Sequence, residues 1–187
     1  MILTEFKPSA SHRVLVYGAP KSGKTTLVGK LASHFKLDYL DLENGANALV
    51  YNIPKEHQAN INLIQIPDTK EYPIAIETIL KIFTGTKVNI CEQHGKVACM
   101  ICNKQPAPPA INTNKFNELE LNSYPADKII VIDSATQLTN SCMNNICKGK
   151  GDDYKPDWDD WRKLGAILDR VFSQVQQAGY NVVVISH

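Results

Sequence analysis

Apolar and polar positions fall into two alternating kinds of block along this chain. Short continuous apolar runs, the length of strands buried in a parallel sheet, occur at 14–17 (VLVY), within 37–45 (LDYLDLENG), at 60–67 (NINLIQIP), at 127–133 (DKIIVID) and at 181–187 (NVVVISH). Between them apolar residues recur every three to four positions, the period of a helix with one buried face. Leu27, Val28 and Leu31 open such a pattern and predict a helix ending near Phe35. Residues 70–83 predict another, with Ile74, Ile79 and Ile82 inward, and 134–149 a third, in which Cys142 and Cys147 read as packing residues. In 157–178 one stripe carries Trp158, Trp161, Leu164, Leu168, Val171, Phe172 and Val175, with Gly179 as the expected C-cap. Both tryptophans are expected mainly as core anchors, a base-stacking platform being the alternative. Strands alternating with helices predict an α/β domain of three layers, with a mostly parallel central sheet flanked by helices.

The connection after the first strand is the most informative. Residues 18–25, GAPKSGKT, fit G-x-x-x-x-G-K-[ST] at every fixed position, between a strand and a helix as the motif requires. Chance alone supplies the four fixed positions in roughly 1 in 100 chains of this size or fewer. Gly18 and Gly23 let consecutive amides converge into an anion nest at a helix N-terminus. Lys24 would reach the β- and γ-phosphates and Thr25 would ligate Mg²⁺. Ala19, Pro20, Lys21, Ser22 and Thr26 complete the cradle, Pro20 stiffening it.

Two further strand ends carry acids. Asp41 and Glu43 follow the second strand, where open α/β sheets place ligands, and Glu43 is the better placed to activate water. The bland alternative is a pair of solvated carboxylates. Asp133 ends the strand at 127–133 and is expected on the Mg²⁺, with Ser134 helping to orient it.

Residues 86–127 interrupt the alternation. Cys91-x-x-His94 and Cys99-x-x-Cys102 supply four soft ligands, enough for a closed tetrahedral Zn²⁺ pinning a small hairpin too short for a core of its own. Four residues between the pairs is fewer than most zinc ribbons use, and three packed thiols with a surface histidine is the alternative. A Pro-rich stretch, 105–114, follows. Residues 148–157 predict a long exposed loop in which Lys148, Lys150 and Lys155 could touch nucleic acid, offset by Asp152 and Asp153.

Composition adds bounds. The 187 residues are 43% hydrophobic and 21% charged, which suits one globular domain. The net charge of +1 makes no global case for nucleic acid. No apolar run approaches a membrane span and no signal-peptide core opens the chain, so a cytoplasmic protein with thiols in place of disulfides is expected, without a membrane partner. The first dozen residues read as an extended lead-in. The chain is expected to be a domain truncated at its C-terminus, because it stops at the tip of a central strand.

Taken together, YGAPKSGKTT (17–26), LDLENG (40–45), IIVIDSATQL (129–138), WDDWRKL (158–164) and VVVISH (182–187) resemble the RecA-like branch of P-loop NTPases. Within that branch they look most like small phage-encoded ATPases of single-strand annealing and recombination. The resemblance covers all but 86–127, whose Cys/His element is outside that pattern. It implies ATP and Mg²⁺ as cofactors, Glu43 and Lys24 as catalytic residues, and His187 as γ-phosphate sensor. It also implies a DNA-binding loop at 148–157, a second one beyond His187, single-stranded DNA as partner, a homo-oligomer completing its site in trans with an Arg or Lys, and the host cytoplasm as location. Two rivals stand beside it. One is a nucleotide-dependent switch or scaffold for protein partners that hydrolyses slowly. The other is a small-molecule kinase, disfavoured because the chain has only Arg13, Arg162 and Arg170 for a lid.

Overall fold

A computed structural model describes residues 11–103, 115–151 and 153–187. Five strands form one wholly parallel sheet: β1 (Arg13–Tyr17), β2 (Lys36–Asp41), β3 (Ile61–Gln65), β6 (Lys128–Asp133) and β7 (Asn181–Ser186), in the order β1-β7-β6-β2-β3. The last strand is thus inserted between the first and β6. Two more strands, β4 (Lys87–Cys91) and β5 (Phe116–Glu120), pair antiparallel as a separate ribbon.

Because side chains alternate across a strand, the central strands feed two cores. Ile130 and Ile132 of β6 and Val182 and Val184 of β7 face one side, where they meet α4 (Ala75–Thr84), α5 (Ala135–Ile146) and α6 (Trp158–Gln177). Ile129, Val131, Val183 and Ile185 face the other, with Leu37 and Tyr39 of β2, and meet α1 (Lys24–Gly29), the 3₁₀ turn Lys30–Ser33 and α2 (Asn47–Asn52). A short α3 (Lys55–Gln58) leads into β3.

Several expectations are corrected. The run at 14–17 is an edge strand, with Val14 at 47%, Leu15 at 64% and Tyr17 at 75% exposure. The helix sought at 70–83 starts only at Ala75, after Pro73, where the Asp68 carboxylate accepts from the Ala75 amide at 2.7 Å. The helices in 47–58 went unforeseen. Helix α6 does bury Leu164, Val171 and Val175, but Trp158 and Trp161 project from its first turn at 82% and 54% exposure, so neither anchors the core. At its far end the chain leaves in extended conformation at Ala178, and Gly179 is not the left-handed cap expected of it.

The hairpin is less independent than an inserted element with no core of its own. Val88 and Ile90 of β4, Leu119 of β5 and Leu121 are buried in the same core as α4 and β6. The Pro-rich stretch at 105–114 and the lead-in at 1–10 lie outside the described residues. Among the described residues no helix is long and apolar enough to cross a membrane.

Candidate active site

Parallel strands end at one edge of the sheet, and the register brings four of these ends into a row. Tyr17 pairs with Ser186, Ile185 with Asp133, and Asp133 with Asp41. The segments leaving those ends therefore meet: the loop 18–25 after β1, His187 after β7, Ser134 after β6, and 42–46 after β2.

The loop after β1 has the geometry of an anion nest. Gly23 sits at φ 87°, a conformation L side chains resist, and caps α1 without any side-chain bond to the helix amides. Those amides remain as donors at the helix start. Lys24 is buried and its Nζ donates to the carbonyls of Gly18 and Ala19, both at 2.8 Å, so the ammonium closes the loop on itself. Pro20, Lys21, Ser22, Gly23, Lys24, Thr25 and Thr26 line a cleft of about 400 Å³ together with Glu43 and His187.

Thr25 and Asp133 are brought together as expected: the Thr25 hydroxyl donates to Asp133 Oδ2 at 2.8 Å. A second donor was not foreseen. The hydroxyl of Tyr39, buried mid-strand in β2, donates to the same oxygen at 2.5 Å. Burial raises the Asp133 pKa, the bonds from Tyr39 and Thr25 oppose that, and the charges of Glu43 and Asp41 add to it. Burial and the Asp133 charge push the Tyr39 phenol well above its ordinary value, so it stays a donor. Two side-chain oxygens around a carboxylate are a hard donor set, which suits Mg²⁺.

Asp41 and Glu43 have separate roles. Asp41 is buried and accepts from the amides of Glu43 (3.2 Å), Gly45 (3.0 Å) and Ala46 (3.1 Å). It shapes the turn and does not line the cleft. Asn44, at φ 60°, completes that turn. Glu43 is thereby held at the cleft, where Ser134 Oγ donates to its Oε1 and His187 Nε2 lies 2.9 Å from the same oxygen. Ser134 therefore orients Glu43, not Asp133 as expected, while its Oγ also accepts from the Gln137 amide and caps α5. Thr136 steadies His187 through its backbone, the His187 amide donating to Thr136 Oγ1 at 3.2 Å. Tyr39 and Thr136 carried no sequence signal, since a tyrosine inside a strand and a threonine in a helix are ordinary packing choices.

Residues 10–187 match the family model described as an AAA domain. The chain belongs to that AAA-domain family. No curated protein matches it. The AAA domain is a nucleotide-binding ATPase-type domain with the P-loop NTPase fold, and the loop 18–25 sits where such a domain binds phosphate.

Away from the cleft, two other groups of sequence candidates are accounted for. In the 148–157 stretch Lys150 is committed to the protein, its Nζ donating to both oxygens of buried Asp160 at 2.9 Å, and the Tyr154 hydroxyl donates to Asp160 as well. Asp157 and Asp160 form a reciprocal capping box for α6. Lys148 and Lys155 remain at the surface. The ligand atoms of Cys91, His94, Cys99 and Cys102 lie within 4.8 Å of one another, and none of the five cysteines forms a disulfide. Cys142 packs in the core beside α4, where burial pushes its thiol up to about 11; Cys147 lies against Met143.

Proposed function

We propose that this AAA domain hydrolyses ATP in a Mg²⁺-dependent reaction and acts in the manner of RecA-like ATPases on single-stranded DNA, as a homo-oligomer, in phage annealing or recombination. The observation that carries the catalytic part is the junction of Glu43, Ser134 and His187 at the mouth of the P-loop cleft. Thr25 and Asp133 would hold Mg²⁺, which supplies charge neutralisation at the β- and γ-phosphates. Lys24 would exchange its two carbonyl partners for phosphate oxygens, a stronger pairing for an ammonium.

Both bonds to Glu43 fall on Oε1, which leaves Oε2 to accept a water proton. The water oxygen bonds to the γ-phosphorus, the bond from phosphorus to the β–γ bridging oxygen breaks, ADP leaves, and the proton passes through Glu43 to solvent. His187 can trade Glu43 for a γ-phosphate oxygen, so the carboxylate is fully available only when triphosphate is bound. That exchange is the proposed sensor.

The DNA part has different support. Trp158 and Trp161, three residues apart on α6 and exposed, offer faces for base stacking, with Lys155, Arg162 and Lys163 nearby in sequence for phosphate contacts. Exposed apolar residues on the β1 edge support self-association, because such an edge is a template for pairing. The test is steady-state ATP hydrolysis with and without single-stranded DNA. Stimulation by DNA, lost in a Trp158→Ala/Trp161→Ala protein, is expected. Turnover indifferent to DNA would move the reading to a nucleotide switch for protein partners.

A further inference from the structure

We propose that Cys91, His94, Cys99 and Cys102 form a closed structural Zn²⁺ site that fastens the β4–β5 hairpin to the exit of β3, in the wall of a groove that shares Glu43 with the nucleotide cleft. The four residues come from two tight turns. The first follows β4, where the Gly95 amide donates to the Cys91 carbonyl at 2.9 Å and the Cys91 amide to the Lys96 carbonyl at 3.0 Å. In the second, the Asn103 amide donates to the Cys99 carbonyl at 2.9 Å. Each turn carries two ligands, and an isolated antiparallel bridge from Ile90 to Val97 closes the first turn.

The separations suit one small ion. Zn²⁺ bonds of about 2.3 Å to sulfur and about 2.0–2.1 Å to nitrogen, at tetrahedral angles, put neighbouring S···S about 3.8 Å and S···N about 3.5 Å apart. His94 Nδ1 lies 3.2 Å from Cys102 Sγ and 3.6 Å from Cys99 Sγ, and all four ligand atoms fall within 4.8 Å of one another. Three thiolates and an imidazole select Zn²⁺ over the hard Mg²⁺ of the nucleotide site. The three cysteines are buried and Phe116 packs on them, so the ion is shielded. Four protein ligands leave no open position, which makes the site structural and not catalytic. On binding, the thiols give up their protons to solvent as the metal–sulfur bonds form.

The turn between the ligand pairs is what reaches the exit of β3. Gly95 stands at φ 59° with its Cα so near β3 that a Cβ would come within 2.7 Å of Ile66 Cα and 2.8 Å of Pro67 Cδ. The Thr78 hydroxyl on α4 donates to its carbonyl at 3.0 Å. Next in the chain, Asp68 accepts from Gln137 Nε2 (3.0 Å) and Ser141 Oγ (2.7 Å) on α5, the helix that Ser134 caps while holding Glu43. The ion thus stiffens one wall of the groove formed by Glu43, Asn44, Ile66, Pro67, Asp68 and Gln137.

The test is elemental analysis of the full chain purified without added metal or chelator. One equivalent of zinc per chain is expected, lost in Cys99→Ser and Cys102→Ser and kept in Cys147→Ser. Should the serine variants fail to fold, Co²⁺ exchanged into the wild-type protein provides the second readout. Intense visible bands of tetrahedral thiolate-bound cobalt are expected, unchanged by Lys24→Ala. A folded, metal-free protein, zinc retained at full stoichiometry in soluble Cys102→Ser, or an octahedral cobalt spectrum would each overturn the proposal. None of these readouts depends on ATP turnover, so this site and the ATPase reading stand or fall separately.

Discussion

At the scale of single residues, the cleft concentrates groups whose burial is costly for stability and useful for chemistry. Asp133 is the clearest case. Burial raises its pKa above the ordinary aspartate value, so the folded protein holds its proton more tightly than the unfolded chain. The linkage then runs opposite to that of a paired carboxylate: the charged form penalises folding at neutral pH, and the penalty fades as pH falls through the raised pKa. Asp133→Asn should therefore abolish Mg²⁺-dependent turnover while raising Tm, by about 2–4 °C for each kcal/mol recovered in a chain of this size; differential scanning calorimetry beside an ATPase assay checks both. Lys24→Ala should lower turnover by at least about 10²-fold through lost electrostatic stabilisation. Unchanged turnover would refute the P-loop assignment.

Much of this was legible because the P-loop is a local motif whose residue types follow from phosphate geometry. Glu43 and His187 were placed by strand ends and by resemblance. Tyr39 was not, since its value to Asp133 arises from register between β2 and β6, which no local pattern encodes. Asp41 looked like a rival to Glu43, and only the three amides on its carboxylate reveal it as the brace of the turn.

At the scale of elements, period told which face each helix turns inward but not how far along its length the core extends. The stripe of α6 includes Trp158 and Trp161 at correct spacing, yet its first turn runs past the core and leaves both in solvent. Likewise 14–17 has the composition of a central strand and lies at the edge, because strand order is a property of the whole sheet. Helices α2 and α3, of six and four residues, are too short to show a period.

Under the proposed DNA role, the exposed tryptophans give a prediction: replacing either by Ala should weaken single-stranded DNA binding by about 1–3 kcal/mol per stacked base, measured by fluorescence anisotropy, with little change in DNA-free turnover. The start of α6 gives another. Bonds from the Tyr154 hydroxyl and then from Lys150 hold the Asp160 carboxyl down at about 2, below its ordinary value near 4. Its contribution to stability is fully present above that ordinary value and is lost as pH falls toward about 2. Asp160→Asn should therefore lower Tm at neutral pH, and the gap from wild type should close in acid melts; a gap independent of pH would contradict the assignment.

At the scale of the molecule, inserting β7 between β1 and β6 is what makes the site. With β1 and β6 adjacent, His187 would not stand between the P-loop and Asp133, and the register joining Tyr17, Ser186, Asp133 and Asp41 in one row would be lost. The parallel sheet supplies the edge, the two cores hold it rigid, and the segments leaving the strand tips carry the chemistry. The ribbon of β4 and β5 shares the larger core and touches the exit of β3, so the part of the chain least like the rest is built into the same scaffold.

The most direct measurement of the central claim separates nucleotide binding from hydrolysis in Glu43→Gln. Equilibrium binding of Mg²⁺–ATP should be retained within a few-fold, while single-turnover hydrolysis should fall by about 10²–10⁴-fold, the usual contribution of a general base. Hydrolysis at the wild-type rate, or loss of binding together with hydrolysis, would contradict Glu43 as the residue that activates water.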